Sequence, residues 1–302
     1  MKLSKYKKQI FDKVLNCDKK ILLPEINDER IVQASKKMQK MGFCVLNLSD
    51  FNFDLSFYKE CLSNKKFINN WTEEMLDFFL SNSFNRSLLL LNEGKVDCVV
   101  GGATMSTANV IRSSIRIVGV KDQWVSSIFL MISNKEDYAY TYSDCGVIPE
   151  PNEKQLVSIA YNAALYHRKL TGEEPKLAFL SFSTKGSAEH YKIDRINNAL
   201  EIFSKKHPDI VHDGELQFDA AIDMKVAKMK KADSILKGQA NVFIFPDLYS
   251  ANISYKITQY LAGFEALGPL LTGLKKPVHD LSRGASVDDI ISISSIAALD
   301  SI

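Results

Sequence analysis

The feature that most constrains the fold is a set of short, near-continuous apolar runs that each end abruptly in small or polar residues: "ILLPE", "FCVLNLS", "VDCVVGGAT", "KLAFLSFSTKGSA" and "NVFIFPDL". Runs without polar alternation suit strands covered by helices on both faces. Helical patterns lie between them. "NDERIVQASKKMQKMG" sets Ile31, Ser35, Met38 and Met41 at helical spacing before Gly42, with Asn27 or Asp28 able to cap. "NEKQLVSIAYNAALYHRKL" and "ANISYKITQYLAGFEAL" read the same way. The chain therefore begins strand, helix, strand, as a parallel α/β sheet does. A doubly wound α/β fold is predicted, and a closed α/β barrel is the alternative that the pattern leaves open.

A chain of 302 residues is long enough for two medium domains. "SDCGVIPEPNE", residues 143–153, combines Gly146 with Pro149 and Pro151 and is expected to be a domain boundary. The net charge of +2 comes from 38 basic and 36 acidic side chains spread along the chain, a balance that provides no polycationic face for nucleic acid or anionic lipid. No apolar run approaches the ~20 residues that cross a bilayer, and the amphipathic start lacks a signal peptide's apolar core. Five cysteines, Cys17, Cys44, Cys61, Cys98 and Cys145, contain no CxxC pair and suit a reducing, cytoplasmic compartment. His167, His190, His207, His212 and His279 show no ligand spacing, so no metal site is expected. Walker, GxGxxG and GxSxG motifs are absent from the sequence.

In open α/β sheets ligands bind beyond the carboxyl ends of the strands. Four such junctions, "GGATMSTANVIR", "STKGSAEH", "PDLYSANISYK" and "LSRGAS", join small residues or hydroxyls to a helix start. Backbone amides and the positive helix end favour an anion there, and together the junctions point to a phosphate-rich ligand; ordinary turn chemistry accounts for each one singly. Arg112 and Arg116 lie four apart on one predicted helix, where one could reach a ligand phosphate. Near the C-terminus, Ser286-Val287-Asp288-Asp289 fits a capping box, while Arg283 precedes Gly284 at a tight turn, where it could clamp an anion.

Taken in order, "LPEINDERIVQA", "VDCVVGGATMSTANVIR", "LSFSTKGSAEH", "DGELQFDAAI", "NVFIFPDLYSANISYKI" and "GPLLTGLKKPVHDLSRGASVDDI" resemble the phosphate acetyltransferase (phosphotransacetylase) family from about residue 20 to the C-terminus. The resemblance implies reversible transfer of an acetyl group between coenzyme A and inorganic phosphate, through acetyl phosphate, without metal or redox cofactor. It implies two doubly wound α/β domains flanking a cleft, similar to the isocitrate/isopropylmalate dehydrogenase-like fold. The first domain would be discontinuous, 1–145 plus 279–302, around a second domain at 146–278. A homodimer is the implied assembly.

The resemblance also implies roles, residue by residue. Asp289 stands where a base takes the thiol proton of coenzyme A, Arg283 where a group holds the acetyl carbonyl or phosphate, and Ser282 where a hydroxyl stabilises the transition state; Ser286 is left as the helix cap. Arg112 matches an arginine that contacts coenzyme A. Ser106, Thr107, Ser183, Thr184, Lys185, Asn252 and Lys256 are the remaining expected substrate-binding residues. The chain departs from the family at Tyr249-Ser250-Ala251, where Asn-x-Gly is usual, and at Ser113, where a proline is usual. Lys65 and Lys66 lie near the place of a second coenzyme A-contacting arginine that has no counterpart here. Three rivals remain: a butyryl-type phosphate acyltransferase, a non-catalytic effector-binding module of the same fold, and a decarboxylating dehydrogenase. The intact Ser282, Arg283 and Asp289 oppose the second, and the lack of a metal-binding aspartate set at the junctions opposes the third.

Overall fold

A computed structural model describes residues 4–121, 123–133, 138–230 and 232–302. Helix α1 (Lys5–Val14) precedes β1 (Lys20–Leu22), α2 (Glu29–Lys40), β2 (Cys44–Leu46), α3 (Leu55–Ser63), α4 (Glu73–Ser81), α5 (Ser83–Asn92), β3 (Cys98–Gly101) and α6 (Thr107–Ile117). Then come β4 (Ser126–Ile132), β5 (Ala139–Ser143), α7 (Glu153–Thr171), β6 (Lys176–Leu180), α8 (Tyr191–Lys206), β7 (Val211–Leu216), α9 (Phe218–Ile222) and α10 (Met224–Met229). The chain ends with β8 (Val242–Ile244), α11 (Leu248–Ala262), β9 (Glu265–Thr272), β10 (Val278–Asp280) and α12 (Val287–Asp300). The chain is thus a mixed α/β protein with parallel sheets. Each apolar run read from the sequence is a strand, and Asp28, not Asn27, caps α2 by accepting from the Arg30 amide.

Two compact units divide the chain, Met1–Val125 with Gly268–Ile302, and Ser126–Leu267. In the first, four strands run parallel in the order β10-β3-β1-β2, so all their carboxyl ends share one edge. Helix α12 packs on α1, α2 and β3, with Ile290, Ile293, Ile296 and Leu299 buried. Its serines Ser292, Ser294 and Ser295 are buried too, and Ser292 and Ser295 donate to the carbonyls of Asp288 and Ile291 one turn back. His279 on β10 meets Asp300, the last residue of α12, at 3.0 Å, which pins the helix to the strand at its far end.

In the second unit the order is β7-β6-β8-β5-β4; β5, β6, β7 and β8 are mutually parallel and β4 is antiparallel to β5. Both sheets have free edges, so the barrel alternative does not form.

The unit boundaries fall at 125/126 and 267/268, not at 145/146 and 278/279. The proline segment lies within the second unit, where a buried group holds it. Strands β4 and β5 belong to the second sheet, and the buried carboxylate of Asp144 gathers the chain that follows them. Its Oδ1 accepts from the amide and hydroxyl of Ser127 and from the amides of Gly146 and Val147, while Oδ2 accepts from Ile148 at 2.9 Å. Burial raises the Asp144 pKa and these bonds oppose the rise. Asp144→Ala would strand several buried donors, each costing ~1–3 kcal/mol. The expected outcome is a loss of at least ~3 kcal/mol in urea unfolding, and a loss under ~1 kcal/mol would show that the segment holds itself.

Candidate active site

Parallel pairing brings the ends of β10 and β3 together, with Asp280 opposite Gly101. Gly102 follows at φ +113°, and a Cβ there would stand 2.2 Å from Asp280 Oδ1, so the turn requires glycine for both conformation and space. Asp280 is fully buried. Its Oδ2 accepts from Thr107 Oγ1 at 2.5 Å, and Oδ1 has no partner among the described residues. Burial pushes the Asp280 pKa up to about 7, with the Thr107 bond opposing.

The amides of the "GGATMS" turn do face an anion, but it is the chain's own. Glu25 Oε2 accepts from Gly102 N and Ala103 N, each at 2.9 Å, and Oε1 from Thr104 N at 2.7 Å and Thr104 Oγ1 at 2.5 Å. The turn is therefore filled by a carboxylate from the segment after β1. A charge-assisted set of this kind is stronger than neutral turn bonds.

Arg30, in the first turn of α2, ties the same edge to the C-terminal loop. Its NH1 donates to the carbonyls of Arg283 at 2.7 Å and Ala285 at 2.9 Å; its NH2 reaches Ala103 O at 3.3 Å and Asp28 Oδ2 at 2.6 Å, and its Nε reaches Asp28 Oδ1 at 3.0 Å. The planar guanidinium is suited to such a fork, which an ammonium could not span. Asp28 lies below its ordinary pKa chiefly through this bond, and Arg30 lies above its own.

Within the loop so held, Ser282 Oγ accepts from Gly284 N at 3.2 Å, and Ser282 O from Ala285 N at 2.9 Å. The Arg283 side chain is exposed and makes no hydrogen bond or ion pair among the described residues. The capping box forms: Asp289 Oδ2 accepts from Ser286 N and Ser286 Oγ, both at 2.8 Å, and Asp289 N donates to Ser286 Oγ at 3.2 Å. Asp289 thus shares in the cap with Ser286, through one carboxylate oxygen. Its Oδ1 accepts no hydrogen bond among the described residues. On α6, Ser106 is the N-cap, Thr107 is spent on Asp280, and exposed Arg112 contacts Asn109 Oδ1 at 3.1 Å. Lys65 Nζ donates to Ile117 O at 2.8 Å, so that lysine is committed to the end of α6, while Lys66 is exposed.

The second unit carries the other expected residues. Beyond β6, buried Ser183 donates to Glu215 Oε1 at 2.9 Å, which also accepts from Gly186 N at 2.7 Å. Thr184 Oγ1 accepts from Gln217 N at 3.0 Å, and Lys185, at φ +48°, pairs with Asp213 and with Gly214 O at 2.8 Å. Here again a carboxylate of the neighbouring strand fills the turn. Asn252 donates to Cys145 O at 3.0 Å, and exposed Lys256 lies 5.8 Å from the Tyr255 ring. Among the described residues no group of three His, Cys, Asp or Glu could hold a metal ion. No helix of the described residues is long and apolar enough to cross a membrane.

A family model described as "Phosphate acetyl/butaryl transferase" matches residues 53–298. Phosphate acetyltransferases of Paracoccus denitrificans and Bacillus subtilis are each 36% identical to the chain; the first match covers 93% of this chain and 95% of the relative, the second 95% and 96%. The crystal structure of a phosphotransacetylase from Streptococcus pyogenes superposes with a TM-score of 0.91 at 35% identity, covering 100% of this chain and 99% of that one. The chain belongs to the phosphate acetyl/butyryl transferase family, whose members are transferases.

Sequence reasoning did not pick out Glu25, Arg30, Asp280 or Glu215, although all four lie inside the quoted motifs. For the three acids the usable signal is a carboxylate placed shortly after or within an apolar strand at the ligand edge; Arg30 carries no such signal.

Asp280 allows a test by pH. Its pKa is raised on folding, so its contribution to stability is fully present below the ordinary value of 3.8 and is lost as pH rises from there through about 7. Asp280→Asn removes that titration. The melting temperature of the wild type minus that of the variant should fall steadily between pH 4 and 7, whereas a constant difference would show that Asp280 titrates alike in both states.

Proposed function

We propose that the chain catalyses acetyl-CoA + phosphate ⇌ CoA + acetyl phosphate, with its chemistry at the loop between β10 and α12. Family membership supports the reaction. The observation that carries the site is the close sequence of an unpaired guanidinium, Arg283, and a carboxylate, Asp289, with one oxygen fixed by the cap and the other open.

In this reading the thiol of coenzyme A, with a pKa near ~8.5, gives its proton to Asp289 Oδ1 as sulfur attacks the acetyl carbon of acetyl phosphate. The carbon–oxygen bond to phosphate breaks, and phosphate leaves as a stable anion. In the reverse direction a phosphate oxygen attacks the thioester, the carbon–sulfur bond breaks, and protonated Asp289 returns its proton to the leaving thiolate. Arg283, with the Ser282 hydroxyl, stabilises charge developing on the carbonyl oxygen, where preorganised donors are worth most. The capping bonds orient Asp289 without using its second oxygen. No acyl-enzyme forms, which agrees with the thiols of Cys98 and Cys145 being buried and held well above their ordinary pKa by desolvation. Coenzyme A and the phosphates are substrates, and no further cofactor belongs to the reading. Arg112, Ser106, Ser183, Thr184, Lys185, Asn252 and Lys256 are proposed to bind them; Thr107 acts through Asp280. The isocitrate/isopropylmalate dehydrogenase-like assignment of the fold and a cytoplasmic location are part of the same proposal.

Asp289→Asn keeps an acceptor for Ser286 N but is a far weaker base. Acetyl-CoA plus phosphate, followed by free thiol, should turn over ~10²–10⁴-fold more slowly with an unchanged melting temperature. Unchanged turnover would return Asp289 to a capping role alone, and faster turnover of butyryl-CoA than acetyl-CoA by the wild type would move the substrate to the longer acyl group. Arg30→Ala releases the carbonyls of Arg283 and Ala285, and kcat should fall ~10–100-fold with KM little changed; an equal kcat would show that the loop holds its shape unaided.

A homodimer is proposed from α11. Its residues at every fourth position, Tyr249, Ile253, Ile257 and Leu261, are 73%, 57%, 52% and 84% exposed, and Tyr260 beside them is 80% exposed. Such an apolar stripe marks an interaction surface, and closed two-fold pairing of identical faces is the commonest way to cover one. Ile257→Lys with Leu261→Lys should halve the mass measured by light scattering, and an unchanged mass would place the interface elsewhere.

A further inference from the structure

The first unit contains a cavity of about 560 Å³ that the proposed chemistry does not use, within the ~300–1,000 Å³ usual for small-molecule sites. It is lined by residues of the segments following β1 and β2, by Tyr58 of α3 and Arg86 of α5, and by Thr104; no residue of the loop between β10 and α12 reaches it.

Its charges balance unevenly. Two carboxylates line it, but the Glu25 oxygens are spent on the 102–104 amides and the Thr104 hydroxyl, and those of Asp28 on Arg30. Arg86 is different. Its Nε is buried without a hydrogen-bond partner, and the guanidinium makes no ion pair among the described residues; it lies over the Tyr58 ring, 6.0 Å from the centroid. A guanidinium whose Nε is buried without an acceptor is an incomplete site, and the acceptor it fits is an oxyanion. The opposite chemistry lines the rest of the cavity. Phe51 and Phe53 stack at 6.1 Å with planes 16° apart, and Phe53 is partly exposed. Ser83 also lines the cavity and brings a hydroxyl donor for an anion, while the Ser49 hydroxyl is spent on Asn47 Oδ1 at 2.5 Å.

We infer that this cavity binds a small oxyanion carried on a planar, apolar body, with Arg86 taking the anion and the Phe51–Phe53 pair the ring. Aromatic carboxylates and aryl phosphates both have this chemistry. The site is separate from the proposed acetyl-transfer loop, so its ligand and coenzyme A should bind independently.

Calorimetric titration of the full chain with phenyl phosphate, benzoate and neutral benzyl alcohol tests the inference. The wild type should bind at least one of the two anions, with benzyl alcohol at least ~10-fold weaker, and which anion binds tells carboxylate from phosphate. Arg86→Met should weaken that anion at least ~10-fold and Arg86→Lys less, with acetyl-CoA turnover unchanged in both and saturating coenzyme A without effect on binding. Phe53→Ser, at a partly exposed position, should weaken the anion too and stands in if the Arg86 variants fail to fold. Equal binding to wild type and Arg86→Met, unaltered binding to Phe53→Ser, displacement by coenzyme A, or no anion binding at millimolar concentration would overturn it.

Discussion

The guanidinium of Arg30 joins three pieces of chain that are far apart in sequence: the start of α2, the turn after β3, and the loop after β10. Its bond to the Ala285 carbonyl spans 255 residues. Parallel strands set the ends of β1, β3 and β10 side by side but do not fix the loops that leave them. Arg30 does so by accepting its own restraint from Asp28 and passing it to two carbonyls around Arg283. The exposed side chain of Arg283 therefore stands on a backbone that is held from beneath, and Asp289 follows within the first turn of the next helix. A positioned group needs such support, because an error of about 1 Å in a reacting group can cost ~10²-fold in rate.

Carboxylates are the second theme. Glu25 in the first unit and Glu215 in the second occupy turn amides that the small residues had suggested were for phosphate. The anions that these turns hold are internal. Filling them fixes the turns in the absence of ligand and leaves the exposed side chains at the same edges, Arg283 and Arg112, as the groups able to meet one. Asp280 is the costlier member, a fully buried carboxyl with one hydroxyl donor, and its raised pKa is the expression of that cost.

Much of the fold was legible because the evidence for it is local. Unbroken apolar runs marked β1, β2, β3, β6 and β8, and cap residues such as Asp28 and Ser286 marked helix starts. The boundary expected at 143–153 lies inside the second unit: prolines announce irregular backbone, but they do not show what grips it, and Asp144 grips it through Ser127, seventeen residues earlier. The supports of the candidate site were illegible because each is a long-range pair. Glu25 meets Thr104 across 79 residues and Thr107 meets Asp280 across 173, and no periodicity encodes such pairings. The capping box at Ser286 and Asp289 was readable from spacing, but that it leaves one carboxylate oxygen open is a matter of geometry.

The central claim is that the loop between β10 and α12 is rigid because Arg30 holds it, and that its chemistry depends on that rigidity. Amide hydrogen exchange at Gly284, Ala285 and Asp289, compared between wild type and Arg30→Ala, tests this most directly. These amides should exchange at least ~10-fold faster in the variant while those of β1 and β3 are unchanged. Unaltered protection at all three amides would contradict it.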